Sequence, residues 1–267
     1  MSAGLRILLI RHGETHGYYD NVGLTPVGEE QAHVKAKELA PQLPAGANVS
    51  ISHAPTARAT ATASVLRASL VAELAEDART TIGALEVDPL FDSLQFLFDG
   101  AARESTGVAA ARVRLRESSD DRPGADRLPD WAAEYDRFDT DLGEAARAGG
   151  PIDRWMTATT LHFEPPQVAV YRAWAGIRQL ARNAGSAPMG LVVSHSALLR
   201  AFAAAAFGTD HGEPVNLEHV TVDVEPGGGL AQVGYRGHEV TVEVPTLVPP
   251  WLNPDYIGGD RRGLPLP

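Results

Sequence analysis

The run Leu5-Arg6-Ile7-Leu8-Leu9-Ile10, with the turn that follows it, Arg11-His12-Gly13-Glu14-Thr15, most constrains what this chain can fold into. A short, nearly continuous apolar run is the mark of a strand buried on both faces of a mostly parallel sheet. It stops abruptly in a guanidinium and an imidazole. Both groups therefore sit at the carboxyl end of a central strand, the edge where open α/β sheets hold their ligands. Gly13 permits a tight turn and a close backbone approach. Alone, Arg-His-Gly also fits a plain polar cap on a strand, and the rest of the chain has to decide.

With 267 residues, 44% hydrophobic and 21% charged, the chain can build one large α/β domain with a sizeable core, or a core domain plus a cap. It carries no repeat and no long low-complexity segment. The longest helical apolar stretch, Ala197 to Phe207, is interrupted by Arg200 and is too short to span a bilayer. Leu5 to Ile10 is too short for the apolar core of a signal peptide and runs straight into charge. With no cysteine there is neither a disulfide framework nor thiolate chemistry, and the cytoplasm is the expected compartment. The formal net charge of −11 argues against nucleic acid as a partner. An acidic protein that binds an anion must gather its arginines locally, which draws attention to Arg11 and Arg58.

In chain order, residues 16–23 read as a loop. Thr25 then caps a helix that has Pro26 at its first position and runs to about Leu39. Asn48 to Ser52 is a second strand. It leads into an alanine-rich helix that reaches about Leu70, with Pro55 and Thr56 marking its start. Arg58 thus sits near a helix N-terminus, where the dipole gives a cation nothing unless both face a bound anion; a solvated surface arginine is the alternative. Thr80 to Val87 is a third strand. From Asp88 to Pro166 the chain changes character, and two charged helices are expected, Ala101 to Glu117 and Asp130 to Ala148. This 88–166 segment reads as a cap-like insertion over one end of the sheet, without a core pattern of its own.

Gln167 to Asn183 is amphipathic. Met189 to Val193 is a second buried strand that ends in Ser194-His195-Ser196 with a helix immediately after, the same device as at the opening. Leu217 to Val224, Leu230 to Tyr235 and His238 to Val244 alternate and read as antiparallel edge strands, with Gly227-Gly228-Gly229 as a hairpin turn. A Pro-rich tail, 245–267, closes the chain. The expected architecture is a three-layer αβα sandwich in one domain, 1–267. Its mostly parallel central sheet has an antiparallel edge, and the helical insertion lies over the active-site end.

Arg11, His12, Arg58 and His195 all fall on one edge of that sheet. Two arginines and two histidines in a crevice suit a phosphoryl group: guanidinium forks match its oxygens bidentately, and an imidazole can attack phosphorus. The chain resembles the histidine phosphatase superfamily, the branch with the cofactor-dependent phosphoglycerate mutases and many small phosphatases. Four of its motifs stand in order: Arg11 to Thr15; Leu24-Thr25-Pro26-Val27-Gly28-Glu29-Glu30-Gln31-Ala32; Ala54 to Ala63, with alanine in place of the usual serine; and Ser194-His195 with Arg200 five residues on. The resemblance covers about residues 5–70 and 188–208.

It implies that His12 is the nucleophile, that Arg11 and Arg58 clamp the phosphoryl oxygens, and that His195 adds a hydrogen bond. One ring nitrogen of His12 should then be held by a carbonyl or a carboxylate. Glu14, Thr15 and Ser196 are candidates to line the pocket. The family's proton donor sits in a Leu-x-Glu-x-x-x-Gly-x-x-x-Gly pattern. Here the nearest match is Leu90-Phe91-Asp92, with Phe96 and Gly100 at the glycine positions, so Asp92 is the choice and Glu86, Asp88 and Glu104 are its rivals.

The resemblance implies a phosphatase for a small-molecule phosphate monoester, needing no cofactor and no metal. A mutase-like phosphotransferase and a non-catalytic phosphate-ligand binder are the alternatives. The middle segment and the short loop after the opening motif depart from the mutases. None of the nine histidines falls in a His-Glu-x-x-His zinc motif; His16 and His53 are close enough to the motifs to line a pocket mouth. Phe91, Phe96, Phe98, Trp131, Tyr135 and Trp155 either wall a leaving group or form core. Oligomeric state and substrate identity are not written in the sequence.

Overall fold

The computed structural model describes residues 4–247, except 18–20, 45, 76, 78, 99–100, 105–107, 109–110, 114, 116–128, 145–149, 158–161 and 184–187. Seven strands form the main sheet: β1 (Leu5–Arg11), β2 (Asn48–His53), β3 (Thr81–Val87), β6 (Pro188–Ser194), β7 (His219–Val224), β8 (Leu230–Tyr235) and β9 (His238–Glu243). A separate hairpin joins β4 (Gln95–Phe98) to β5 (Ala101–Glu104). The sheet order is β3-β2-β6-β1-β7-β8-β9. β3, β2, β6 and β1 are parallel neighbours, while β7, β8 and β9 add an antiparallel edge. The helices include α1 (Pro26–Leu39), α2 (Ala57–Glu73), α3 (Asp130–Glu144), α4 (Gly150–Thr157), α5 (Pro166–Asn183) and α6 (Ser196–Phe207). Among the described residues no helix is long and apolar enough to cross a membrane.

The continuous run in β1 has a simple cause. Side chains alternate across a strand, and both faces of this one are covered. Leu5, Ile7 and Leu9 enter the core formed with α5 and α6, while Leu8 and Ile10 enter the core formed with α1 and α2. The five are at most 5% exposed, and each buried side chain of this kind stabilises the fold by about 1.5–3 kcal/mol. The Thr25 N-cap forms as the sequence indicates, with Gly28 N–H donating to its hydroxyl at 3.0 Å; Thr56, read as part of the first turn of α2, is that helix's N-cap, its hydroxyl accepting from Ala59 N–H at 3.4 Å. Gly13 makes its close approach to α1. A Cβ there would lie 2.6 Å from the Gly28 carbonyl oxygen, and one on Gly28 would lie 2.1 Å from that of Glu14. The two glycines let the opening turn press against the first turn of the helix.

The 88–166 segment differs from expectation at one point. Residues 101–104, read as the start of a helix, are strand β5, paired antiparallel with β4. Within this segment Phe96 is fully buried, with the rings of Phe163, Tyr135 and Trp131 at 4.7, 5.9 and 6.4 Å. Phe91, Phe96, Tyr135 and Trp155 belong to the same buried cluster as one face of the sheet. These aromatics are core; the Phe98 side chain lies outside the described ones. Of the Pro-rich tail, residues 248–267 lie outside the described residues.

Candidate active site

Sheet register brings the two histidines together. β1 and β6 are parallel neighbours with Arg11 opposite Ser194, so the residues that follow, His12 and His195, leave the sheet side by side. His12 N–H continues the ladder to the Ser194 carbonyl at 2.9 Å. The two rings stand 5.2 Å apart at 66°. On the other side of β6, β2 delivers the start of α2: Ala54 N–H bonds the Val193 carbonyl at 2.9 Å, and the Thr56 hydroxyl lies 3.2 Å from His195 Nε2. Arg58 follows in the first turn of α2, 3% exposed, not a solvated surface arginine.

His12 Nδ1 is 2.7 Å from the Gly13 carbonyl. A carbonyl accepts only, so Nδ1 carries the proton and the ring lone pair is on Nε2. Burial, then the Arg58 and Arg11 charges, push the His12 pKa down to about 3, against the opposing pull of the Gly13 hydrogen bond. His195 is likewise held well below the ordinary histidine range, by burial first and then by Arg58, His12, Arg11 and Arg172. Both imidazoles are neutral at pH 7. The positive charge that an anion would meet comes from guanidinium groups. Arg11 donates through Nη1 to the Pro214 carbonyl and lies 3.4 Å from Glu213.

Asp92 joins this group. It is 4% exposed and its Oδ1 is 4.0 Å from His195 Nε2. Oδ1 also accepts from Ser93 N–H at 2.7 Å, and Oδ2 accepts from the Gln95 side-chain amide at 3.1 Å. Glu86 is exposed on β3. Asp88 caps Leu90 N–H at 2.9 Å, and burial raises its pKa. The Glu104 side chain lies outside the described ones.

The remaining candidates are engaged in holding the loop. Glu14 Oε1 accepts from the Thr25 hydroxyl at 2.8 Å, and the Thr15 hydroxyl donates to the Gly23 carbonyl at 2.8 Å. Ser196 opens α6, half-buried beside His195. Motif residue Arg200 bonds Asp210 and Asp153. His53 is buried with Nδ1 2.8 Å from the Ala54 carbonyl.

Several contributors carry no signal of their own in the sequence. Asn21 Oδ1 accepts from Ala57 N–H at 2.7 Å in the first turn of α2, and Asn216 Nδ2 donates to the His12 carbonyl at 2.9 Å. The Thr62 hydroxyl accepts from Gly13 N–H at 3.0 Å. Asn21 stands in the loop read only as a connection, and Asn216 is 204 positions from its partner. Only the fold brings such pairs together.

Residues 7–80 match the model of the histidine phosphatase superfamily (branch 1). No curated protein matches the sequence. Among solved structures, Bacillus stearothermophilus YhfR is 18% identical over 87% of this chain and 96% of its own, with a TM-score of 0.52, a likeness of fold. The native mycobacterial glucosyl-3-phosphoglycerate phosphatase Rv2419c is 17% identical over 84% of this chain and 92% of its own, with a TM-score of 0.48. The matched segment holds the first three of the four motifs and is similar to the histidine phosphatase superfamily (branch 1), and the fold brings Ser194-His195 of the fourth motif beside His12.

Proposed function

We propose that this protein is a phosphatase that hydrolyses a small-molecule phosphate monoester through a covalent phosphohistidine on His12. One observation carries the reading: a neutral His12, tethered through Nδ1, stands 5.2 Å from His195 with Arg58 and Arg11 acting on both rings. In the first step the Nε2 lone pair attacks phosphorus. The N–P bond forms as the ester P–O bond breaks, and the leaving oxygen takes the proton of the Asp92 carboxyl group. In the second, the Asp92 carboxylate takes a proton from water, and the water oxygen bonds to phosphorus as the N–P bond breaks. Inorganic phosphate leaves with Asp92 protonated again.

Arg11, Arg58 and His195 stabilise the charge spread over the phosphoryl oxygens, which is most of what such a transfer asks of a protein. A bound dianion also opposes the effect of the arginines on the two imidazoles, so His195 becomes a better donor once substrate is present. We read Glu14, Thr15 and Ser196 as lining the pocket. We read the whole chain as one domain in which 88–166 is an insertion contributing the acid, with a small phosphate ester as partner and neither nucleic acid nor membrane.

The test is a panel of phosphate monoesters with wild type and His12→Ala. The wild type should hydrolyse at least one, and the variant should lose activity by on the order of 10⁴-fold, as when a nucleophile is removed. No hydrolysis across a broad panel would end the enzyme reading. Return of the phosphoryl group to an added alcohol in preference to water would replace hydrolysis with a mutase-like transfer.

A further inference from the structure

We infer that Arg172, on α5, is a positioning residue for the acid: with its buried partner Glu164 it fixes the turn that carries Asp92. The inference rests on the reading of Asp92 as proton donor. Arg172 and Glu164 are both 0% exposed. The guanidinium donates through Nε to Glu164 Oε1 at 3.1 Å and through Nη2 to Oε2 at 2.9 Å. It also collects backbone carbonyls on both sides of the acid. Nη1 donates to Pro89, Leu90 and Asp92 at 3.3, 2.9 and 3.0 Å, and Nη2 to Ser93 at 3.0 Å.

A buried ion pair is a poor stabiliser compared with apolar residues of the same volume. What an apolar pair cannot do is gather carbonyls that point inward from one tight turn, and the planar five-donor guanidinium can. Arg172 therefore holds Asp92 by its backbone and leaves the carboxylate to other partners. Glu164 reaches the same carboxylate by a second route: its Oε2 accepts from Gln95 N–H at 3.3 Å, and the Gln95 side chain donates to Asp92 Oδ2.

Two further contacts fix the turn from the sheet side. The Ser194 hydroxyl, one residue before His195, donates to the Phe91 carbonyl at 2.6 Å. The Phe91 ring lies where a side chain at Gly176 would be, so close that a Cβ there would stand 2.5 Å from it. Trp155 donates to the Glu164 carbonyl at 2.6 Å, tying α4 to the pair. The insertion is thus wired to the acid. Its aromatic core, formed by residues that could otherwise have walled a substrate, supports a mount for Asp92.

The experiment compares kcat/KM on phenyl phosphate and 4-nitrophenyl phosphate, two substrates of similar shape whose leaving groups need protonation to different degrees. Misplacing a catalytic group by about 1 Å costs on the order of 10²-fold, and only the poor leaving group should feel it in full. Arg172→Lys is expected to lower kcat/KM on phenyl phosphate by about 10-fold or more and on 4-nitrophenyl phosphate by less than about 3-fold, in the direction of Asp92→Asn. Should Arg172→Lys fail to fold, Ser194→Ala, which removes a single bond to the turn, must show the same selectivity, at about 3-fold. Equal losses on both substrates in the folded variants, with Asp92→Asn selective, would overturn the positioning role alone. Asp92→Asn without selectivity would overturn the acid assignment and this inference with it. Hydrolysis of neither substrate nor any other monoester by the wild type would overturn the phosphatase reading itself.

Discussion

Two strand ends in this sheet are built alike and surrounded differently. His12 follows β1 and His53 ends β2; both are 2% exposed. Each holds Nδ1 against the carbonyl of the next residue, at 2.7 Å to Gly13 and 2.8 Å to Ala54. The difference lies in the neighbours. His53 has the Thr60 hydroxyl at 3.3 Å. His12 has the ring of His195 and the charges of Arg58 and Arg11, and its pKa is driven down to about 3. A tethered histidine at the end of a parallel strand is therefore part of the architecture, and what surrounds it makes one of them chemically special.

The comparison can be broken in several ways. The largest effect is expected from His12→Ala, which should abolish turnover in the monoester assay (about 10⁴-fold). A comparable loss in His53→Gln would dissolve the distinction. Arg58→Ala should lower kcat/KM by about 10²–10³-fold, the cost of removing a preorganised group that stabilises transition-state charge; a change below about 3-fold would mean that Arg58 does not face the phosphoryl group.

A third effect concerns stability. The unfolded chain takes up a proton at His12 near pH 6.5, whereas the folded one does so only near pH 3. Between those values the unfolded state binds more protons, so stability is full above about pH 6.5 and falls with pH below it. His195 acts in the same direction. The melting temperature of ligand-free protein should drop from pH 7 to pH 4, and less steeply in His12→Gln. A His12 imidazole resonance titrating near pH 6.5 in the folded protein would contradict this. Smallest of all, His53→Gln should change kcat/KM by less than about 3-fold while costing on the order of 1 kcal/mol in urea unfolding, through its lost hydrogen bonds.

How much of this was legible in the sequence follows from how local each cause is. The β1 run, the cap Thr25-Pro26, and the matched ends Arg11-His12 and Ser194-His195 each act within a few residues, and each stands where the sequence puts it. The β4–β5 hairpin does not announce itself. Ala101-Ala102-Arg103-Glu104 has a helical composition, and its strand conformation comes from pairing with Gln95–Phe98, an override of weak local propensity by tertiary context. Arg172 lies within a helix that reads as ordinary and amphipathic, and Glu164 lies eight positions earlier, outside it, beyond any helical i,i+4 pattern. Asp92 could be chosen from a degraded motif, but what holds it could not be read at all. The surroundings of His12 are written locally and those of Asp92 are assembled at long range, which is why the first could be read from the sequence and the second needed the fold.

The central claim is tested most directly by trapping the intermediate. Wild-type protein is mixed with a phosphate monoester it hydrolyses, quenched in alkali and digested, and the peptide carrying Arg11-His12-Gly13 is examined by mass spectrometry. The account predicts one phosphoryl group on His12, stable to base, lost in acid, and absent from His12→Ala. Full turnover with no phosphorylated peptide, or a phosphoryl group on another side chain, would contradict it.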